Sequence, residues 1–466
     1  MNKQTKTACL ILAFAAILSS CKKNEALNGA EVVGKTTNSL SAGDGQNDLL
    51  GYGYDVTGEY ANSSAAKYSV IDVVRLKADQ PTRVEWDLSS KKYGEVIAGE
   101  NAFTYLSSLT DKLGSSLTVK DPSDTSKKAI FFKGSIENSF DNSNSFSSKH
   151  IYSGYAMKIQ QKRVKMNATI SMLKQYLTSS FIADVQSGSP QYIVSQYGTH
   201  ILKDIILGAK LDIKFRAETS KSDRKDAATK GIEFNILGIF GFSTSSNSAT
   251  QQVAENFSQR LRYEAIGGEP SASLSGNLTI GGGTLPVIST TAWENSSSLL
   301  NAEMIDVAEN GLIPIWELID DPAKSAAVKT YVIQYIIDKQ LKLTYPDFVV
   351  NGRFVRNDDD LKLYMVFDNT LRHIPSMAVL DRLFQFDESL MHHVNFIDVS
   401  SAIVGAPISH DSEILTDLVG SKMYFREGNV IRHISTWDVF LKYHFNDVTA
   451  REVYGISGYT LGKPIE

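Results

Sequence analysis

From Ile205 to Ala217 the chain alternates without a break, and no other segment constrains the fold as strongly. Ile205, Leu207, Ala209, Leu211, Ile213, Phe215 and Ala217 fall on one face. Ile206, Gly208, Lys210, Asp212, Lys214 and Arg216 fall on the other. Period-two patterning over about thirteen residues predicts a half-buried strand roughly twice the usual length. A second alternating run places Ile151, Tyr155, Met157 and Ile159 on one face. A third sets Phe257, Leu261, Tyr263 and Ala265 against Ser258, Arg260, Arg262 and Glu264, and ends at Gly267-Gly268. Glycine accepts the backbone angles of a sharp bend without a Cβ clash. Two glycines also serve as an ordinary loop.

With 466 residues the chain has room for two or three domains. Its apolar fraction of 42% and charged fraction of 21% are ordinary for a globular protein, and a net charge of −5 gives no reason to expect nucleic acid as a partner. The two cysteines are Cys9 and Cys21, so the rest of the chain holds no disulfide framework or cysteine-based metal site. Lys3 and Lys6 precede a short apolar core from Leu10 to Leu18, too short to span a membrane. Leu18-Ser19-Ser20-Cys21 follows and resembles a bacterial lipobox. Residues 1–21 are therefore expected to be a lipoprotein signal peptide, with Cys21 the lipidated residue; an ordinary signal peptide with an incidental cysteine is the alternative. Residues 22–49, polar and rich in Ser, Gly, Asn and Thr, read as a flexible tether. The expected location is the bacterial outer membrane or cell surface, with release from it as an alternative.

Helical spacing of Phe103, Leu106, Leu109 and Leu113 predicts a helix near Asn101–Leu113. A strand is expected at Ala129–Phe132 and helical sequence from Ala168 to Val185. Ser189-Pro190 reads as an N-cap and first helical residue. That helix leads into Tyr197-Gly198-Thr199-His200, directly before the long strand. The tetrapeptide resembles the signature of the membrane-attack-complex/perforin (MACPF) family: an aromatic, Gly, Thr or Ser, His, an aromatic, six residues, then Gly-Gly. Gly208 stands at the first glycine; Ile201 and Ala209 depart from the pattern. Leu312-Ile313-Pro314-Ile315-Trp316-Glu317-Leu318 and a helix opened by Asp321-Pro322 also resemble the end of that domain. The resemblance covers residues 50–345 and is nearest to MACPF lipoproteins of gut Bacteroidetes, some of which act as antibacterial toxins.

The resemblance implies an α+β fold like that of MACPF proteins and cholesterol-dependent cytolysins. A bent four-stranded antiparallel sheet would be flanked by two helical clusters, with Gly267 and Gly268 as its hinge. In this family the clusters unfurl into amphipathic hairpins, and oligomerisation closes them into a barrel, because an open sheet edge leaves backbone groups unpaired in lipid. Each inserted strand needs about 9–11 residues of alternating polarity. Between Lys221 and Gln252, Ile232, Phe234, Ile236, Phe240 and Phe242 share one parity; the same residues would pack a helix against the sheet in a soluble form. Between Gly134 and His150 only Ile136, Phe140 and Phe146 are large and apolar, a thin stripe among Ser and Asn. Replacing Gly267-Gly268 by Val-Val is expected to block opening of the sheet and spare soluble folding.

Residues 346–466 contain an internal repeat: Leu371-Arg372-His373-Ile374 aligns with Ile431-Arg432-His433-Ile434. Two related units imply a pseudo-twofold module. MACPF proteins commonly carry a terminal recognition module, so a glycan or lipopolysaccharide receptor or membrane lipid is the expected partner, with self-association on the membrane. Tyr364, Tyr424 and Trp437 are candidate stacking residues. Arg372, His373, Arg432 and His433 either join them at the surface or fix turn geometry. Asn357-Asp358-Asp359-Asp360 lacks the spacing of a defined calcium loop. His200 has no second ligand at metal spacing and no nucleophile–base pair emerges, so neither an enzyme nor a cofactor or metal is expected. The leading reading is a pore-forming toxin of bacterial or host membranes. Its rival, favoured by the polar first segment, is a non-lytic adhesin or glycan binder on the same scaffold.

Overall fold

Among the described residues seven strands make the central sheet, in which every pairing is antiparallel. β1 (Val84–Asp87) and β2 (Lys91–Gly99) both pair with β3 (His150–Met166). β3 pairs with β4 (Asp204–Thr219), β4 with β5 (Asn256–Ile266), and β5 with β6 (Ser275–Ile280). β7 (Glu303–Val307) joins the start of β4. The computed structural model describes residues 47–114, 129–140, 145–219, 221, 223–242, 256–281 and 285–466. The signal peptide with Cys21, nearly all of the tether, and Ser245–Gln252 lie outside the described residues.

The alternation in β4 is realised as expected. Its odd-numbered residues from Ile205 to Ala217 are all fully buried, and Ile151 lies opposite Ala217, Tyr155 opposite Ile213 and Ile159 opposite Ala209. Each large side chain buried this way contributes about 1.5–3 kcal/mol. The other face is covered as well. Lys158, Lys210, Lys214 and Arg216 are all buried.

Three local expectations differ from the structure. Ala129–Phe132 is no strand: Phe132 has φ +64° and its N–H donates to Val56. That conformation breaks an extended ladder, yet both Phe131 and Phe132 are fully buried. The helix expected over 168–185 is split into Ile170–Leu173 and Ser179–Ser187, because Leu177 and Thr178 are extended and Thr178 caps the second piece. In β5 a bulge opposite Arg216–Glu218, with Ser258 at φ +52°, turns Phe257 onto the face of Arg260 and leaves it exposed.

Ser189 caps the helix Pro190–Tyr197, with Pro190 in its first turn, and Gly198 ends it at φ +72°. Here two chain segments touch backbone to backbone. A Cβ on Gly198 would lie 2.6 Å from the Tyr54 carbonyl carbon, and one on Gly53 would lie 1.9 Å from the Tyr197 oxygen. Thr199 completes the junction: its N–H and hydroxyl both donate to the Tyr54 carbonyl, and its oxygen accepts from the Val56 N–H at 3.1 Å. His200 is fully buried, 3.0 Å from the Thr199 hydroxyl and packed by Phe131 and Trp316. Burial alone pulls its pKa down to about 3, so the ring is a neutral structural group.

Residues 354–466 form two related units that meet at one core. In the first, strands Phe354–Asn357, Leu363–Phe367, Thr370–His373 and Met391–Val394 accompany the helix Met377–Leu383. In the second, Glu413–Asp417, Lys422–Glu427, Val430–His433 and Arg451–Val453 accompany Trp437–Lys442. Phe354, Phe367 and Phe384 of the first pack with Phe425, Phe440 and Phe445 of the second. The aligned arginines reach across. Arg372 makes two bonds to Glu427, at 2.6 and 2.8 Å, and Arg432 meets Asp368 at 2.8 Å. Each also donates through Nε to a carbonyl of its own unit, Ala406 or Lys463.

Two measurements follow from these contacts. Arg372→Ala or Arg432→Ala should each destabilise the C-terminal module by about 2 kcal/mol, read as an earlier urea midpoint of its tryptophan and tyrosine signal. Native His200 stays neutral where the unfolded imidazole binds a proton. Its contribution is therefore complete above pH 6.5 and is lost as pH falls toward 3. Between pH 6.5 and 5, above the carboxylate range, stability should fall less steeply in His200→Gln than in the parent. His150, pulled down to about 3 by burial and its cationic neighbours, keeps the slope from vanishing.

Candidate functional site: two crossovers on a bent sheet

Two long crossovers leave the same end of the sheet and return to the next strand. Residues 100–149 link β2 to β3, and residues 220–255 link β4 to β5. Gly99 lies opposite Tyr152, His150 opposite Glu218, and Thr219 opposite Asn256, which puts all four roots side by side. The first crossover thus begins well before Gly134. It includes α1 (Ala102–Asp111), held by a capping box between Asn101 and Thr104, and α2 (Gly134–Phe140). Helical spacing revealed α1 but not its membership of the crossover, which only the β2–β3 pairing discloses.

The crossovers cover opposite faces. α3 (Arg224–Phe240) lies on the apolar face, where Ile232, Ile236, Ile239 and Phe240 share a core with Ile151, Tyr155, Met157, Ile213 and Phe215. A Cβ on Gly231 would touch the Phe215 ring at 2.7 Å, so glycine here sets how closely helix and sheet approach. Phe234 is half-buried, and Phe242 stacks between Phe240 and Tyr155 with both centroids at 5.7 Å. Residues of one strand parity, Ile232, Ile236 and Phe240, also share one helical face, since a spacing of four satisfies both periods. Side-chain hydrogen bonds add to this packing. Ser153 donates to the Ala228 carbonyl at 2.8 Å, Asn256 to Ala227 at 2.9 Å, and Asn235 to Gln259 at 3.3 Å.

On the charged face α1 packs on β2 and β3 through Tyr105, Leu106 and Leu109, with Ile136 of α2 beside them. Phe140 meets Tyr152 edge-on at 6.0 Å, with the Arg216 guanidinium over its ring. Phe146, also buried, lies in the short strand Ser145–Ser147, which pairs parallel with Lys342–Thr344. Beneath this cover the charges are matched. Lys158 contacts Asp306 at 2.5 Å and Glu95 at 2.9 Å, Lys112 contacts Glu95 at 2.6 Å, and Lys214 contacts Glu59 at 2.6 Å and Asp212 at 3.5 Å. The Tyr60 hydroxyl donates to Asp306. Burial opposes ionisation of Glu95, Asp212 and Asp306, yet the surrounding lysines hold all three below the usual carboxylate range. Lys210 goes the other way: burial dominates and lowers it, with the Ala61 carbonyl 3.1 Å away. A narrow cavity runs among Tyr60, Glu95, Tyr105, Lys112, Lys158 and Lys214.

A single row of irregularities, of the kind that lets strands bend, crosses the sheet. β3 bulges between Gln160 and Lys162, and β7 between Met304 and Asp306. Between them sits Gly208, where a Cβ would lie 1.9 Å from the Ile159 oxygen. Gly267, at φ +70°, would place a Cβ 2.3 Å from the Gly208 oxygen. Gly268, at φ +79°, lies against Trp293, whose indole N–H donates to the Gly267 carbonyl at 2.9 Å. Ala209 and Ile201, the two departures from the signature, are both fully buried. The expectation that Val-Val at 267–268 spares soluble folding is therefore corrected. Both positions are left-handed, and the first has backbone where its side chain would go.

The proposed recognition residues separate into two groups. Tyr364 and Tyr424 are buried, with His373 and His433 packed against them at 5.7 and 5.5 Å. Arg372 and Arg432 are engaged across the repeat. Trp437 alone of the seven presents a large exposed ring, 54% accessible, its inner face stacked on Phe440 at 4.7 Å. The acidic run is committed locally: Asp358 to His393 at 2.8 Å, Asp359 to the Phe396 N–H at 2.7 Å, and Asp360 to Lys362 at 2.9 Å. Among the described residues no cluster of three His, Cys, Asp or Glu could hold a metal, and no helix is long and apolar enough to cross a membrane.

A bent antiparallel sheet with one long crossover on each face defines the MACPF and cholesterol-dependent-cytolysin class of fold. The MAC/Perforin domain family matches residues 36–343, and the chain belongs to that family. No curated protein matches it. Among solved structures it is similar to a putative cell invasion protein with a MAC/Perforin domain from Bacteroides thetaiotaomicron, at 14% identity, covering 90% of this chain and 95% of that one with a TM-score of 0.49. GNIP1Aa from Chromobacterium piscinae is 16% identical over 81% of this chain and 75% of its own, TM-score 0.49. A non-hemolytic pneumolysin from Streptococcus pneumoniae is 11% identical over 56% and 51%, TM-score 0.22.

Gly267→Val should destabilise the soluble protein by about 3 kcal/mol or more, because left-handed strain adds to the overlap with Gly208. Gly281→Val, at a glycine whose Cβ meets nothing, should leave the thermal midpoint nearly unchanged.

Proposed function

We propose that this chain is a surface lipoprotein that acts on membranes by refolding both crossovers into β-hairpins, with homo-oligomers closing them into a pore. The observation that carries this reading is the arrangement of the four crossover roots. They stand side by side on adjacent antiparallel strands, so each crossover can extend the hydrogen-bond ladder already present without a change of register. Chemistry supports it too. Ile232, Phe234, Ile236, Phe240 and Phe242 supply an alternating apolar edge for lipid. Withdrawal of α1 and α2 would return Lys158, Lys210, Asp212 and Lys214 to water, relieving the desolvation of buried charge. Targeting falls to the C-terminal module, with Trp437 the ring offered to a glycan, lipopolysaccharide or headgroup.

The second reading is a non-lytic adhesin. It is favoured by the returning part of the first crossover, where Ile136, Phe140 and Phe146 are the only large apolar residues between Gly134 and His150. Dye release from vesicles of bacterial outer-membrane lipid, using protein without residues 1–21, separates the two. The pore reading expects release that Phe234→Asp and Phe240→Asp abolish and that a disulfide engineered between α3 and β3 suppresses until reduced. Binding of the same vesicles, lost in Trp437→Ala, without any release would establish the adhesin.

A further inference from the structure

One buried cation touches both crossovers and the C-terminal module. Arg224 opens α3, inside the second crossover, and its side chain is almost wholly buried, 2% accessible. Its Nε donates to the carbonyl of Glu100 at 3.0 Å, the residue where the first crossover leaves β2. Its Nη2 donates to the carbonyl of Ser148 at 2.7 Å, where that crossover returns. Its Nη1 reaches the carbonyl of Ala402 at 3.4 Å, in the C-terminal module just past the helix Phe396–Ser400. A planar guanidinium with five N–H donors suits three carbonyls arriving from three directions; a lysine ammonium cannot span them. Burial lowers the group to about 10, against the pull of Glu100 and Glu218, so it remains charged at neutral pH. A buried charge held by backbone carbonyls is stable only while those carbonyls stay in place.

We infer that Arg224 is a latch that couples the two crossovers to each other and to the C-terminal module. While Ala402 is seated, both roots of the first crossover and the start of the second are held by one side chain. Displacement of the 402 segment removes one acceptor, weakens the hold on Glu100 and Ser148, and loosens both crossovers together. The geometry ties recognition to refolding through a single group and gives simultaneous rather than sequential release. The coupling is a property of the soluble chain; its use in membrane insertion rests on the function proposed above.

Amide hydrogen exchange on the full chain tests it without a membrane. In Arg224→Lys, residues 100–111, 145–149 and 398–404 should lose protection together, by about tenfold or more, while 205–215 of β4 stay unchanged. Arg224→Met should give the same three-segment pattern, and the lysine variant serves alone if the methionine variant does not fold. Protection lost only within α3, lost uniformly across the sheet, or not lost at all would each overturn the latch. A three-segment response in a protein that releases no dye would refute the pore and leave the latch standing.

Discussion

The β3–β4 ladder is the member on which the rest of the molecule depends. It is long, it is antiparallel, and neither face is left to solvent. One face is hydrophobic and is satisfied by any well-packed helix; the other carries lysines that are tolerable in the interior only because carboxylates from three other segments, and Asp212 of β4 itself, meet them. Those segments, around Glu59, Glu95 and Asp306, are thereby fixed relative to one another. The hydrophobic face makes the sheet stable, and the charged face specifies what must lie over it.

On the function proposed above, this division is what would let the fold store a second arrangement. α3, packed mainly by hydrophobic contact, would on that reading exchange its core for lipid once its polar ties, those of Arg224 among them, are released. A cover lying over buried ion pairs can leave because water solvates what it uncovers. Neither departure would need to break the β3–β4 hydrogen bonds. Glycines and bulges stand in one row across the same strands, where the backbones approach too closely for a side chain.

Period-two alternation made β3, β4 and most of β5 legible from residue order, because burial on one face imposes that pattern on any sequence. The signature around Tyr197–His200 pointed to the correct fold, and its role as a backbone crossing at Gly53 and Gly198 is a reason for its form. What stayed hidden depends on contacts distant in the chain. Phe257 broke parity through a bulge set by its neighbour strand. Glu100 gave no sign of rooting a crossover. Arg224 sat in a polar run indistinguishable from a solvated loop, and only the folded chain shows the three carbonyls around it. Tyr364 and Tyr424 looked like surface rings because the repeat marked them, yet repetition marks what a duplicated core requires as readily as what a binding face requires.

The reciprocal arginines of the C-terminal module have a further meaning. Each unit supplies a guanidinium that only the other unit can neutralise, and half of a shared aromatic core. Such an arrangement is an obligate dimer written into one polypeptide. A single unit expressed alone would present both an unmet charge and an open hydrophobic face, the ingredients of self-association. The two halves are therefore bound to change together: a substitution at Asp368 is felt first not in its own repeat but in the other, at Arg432.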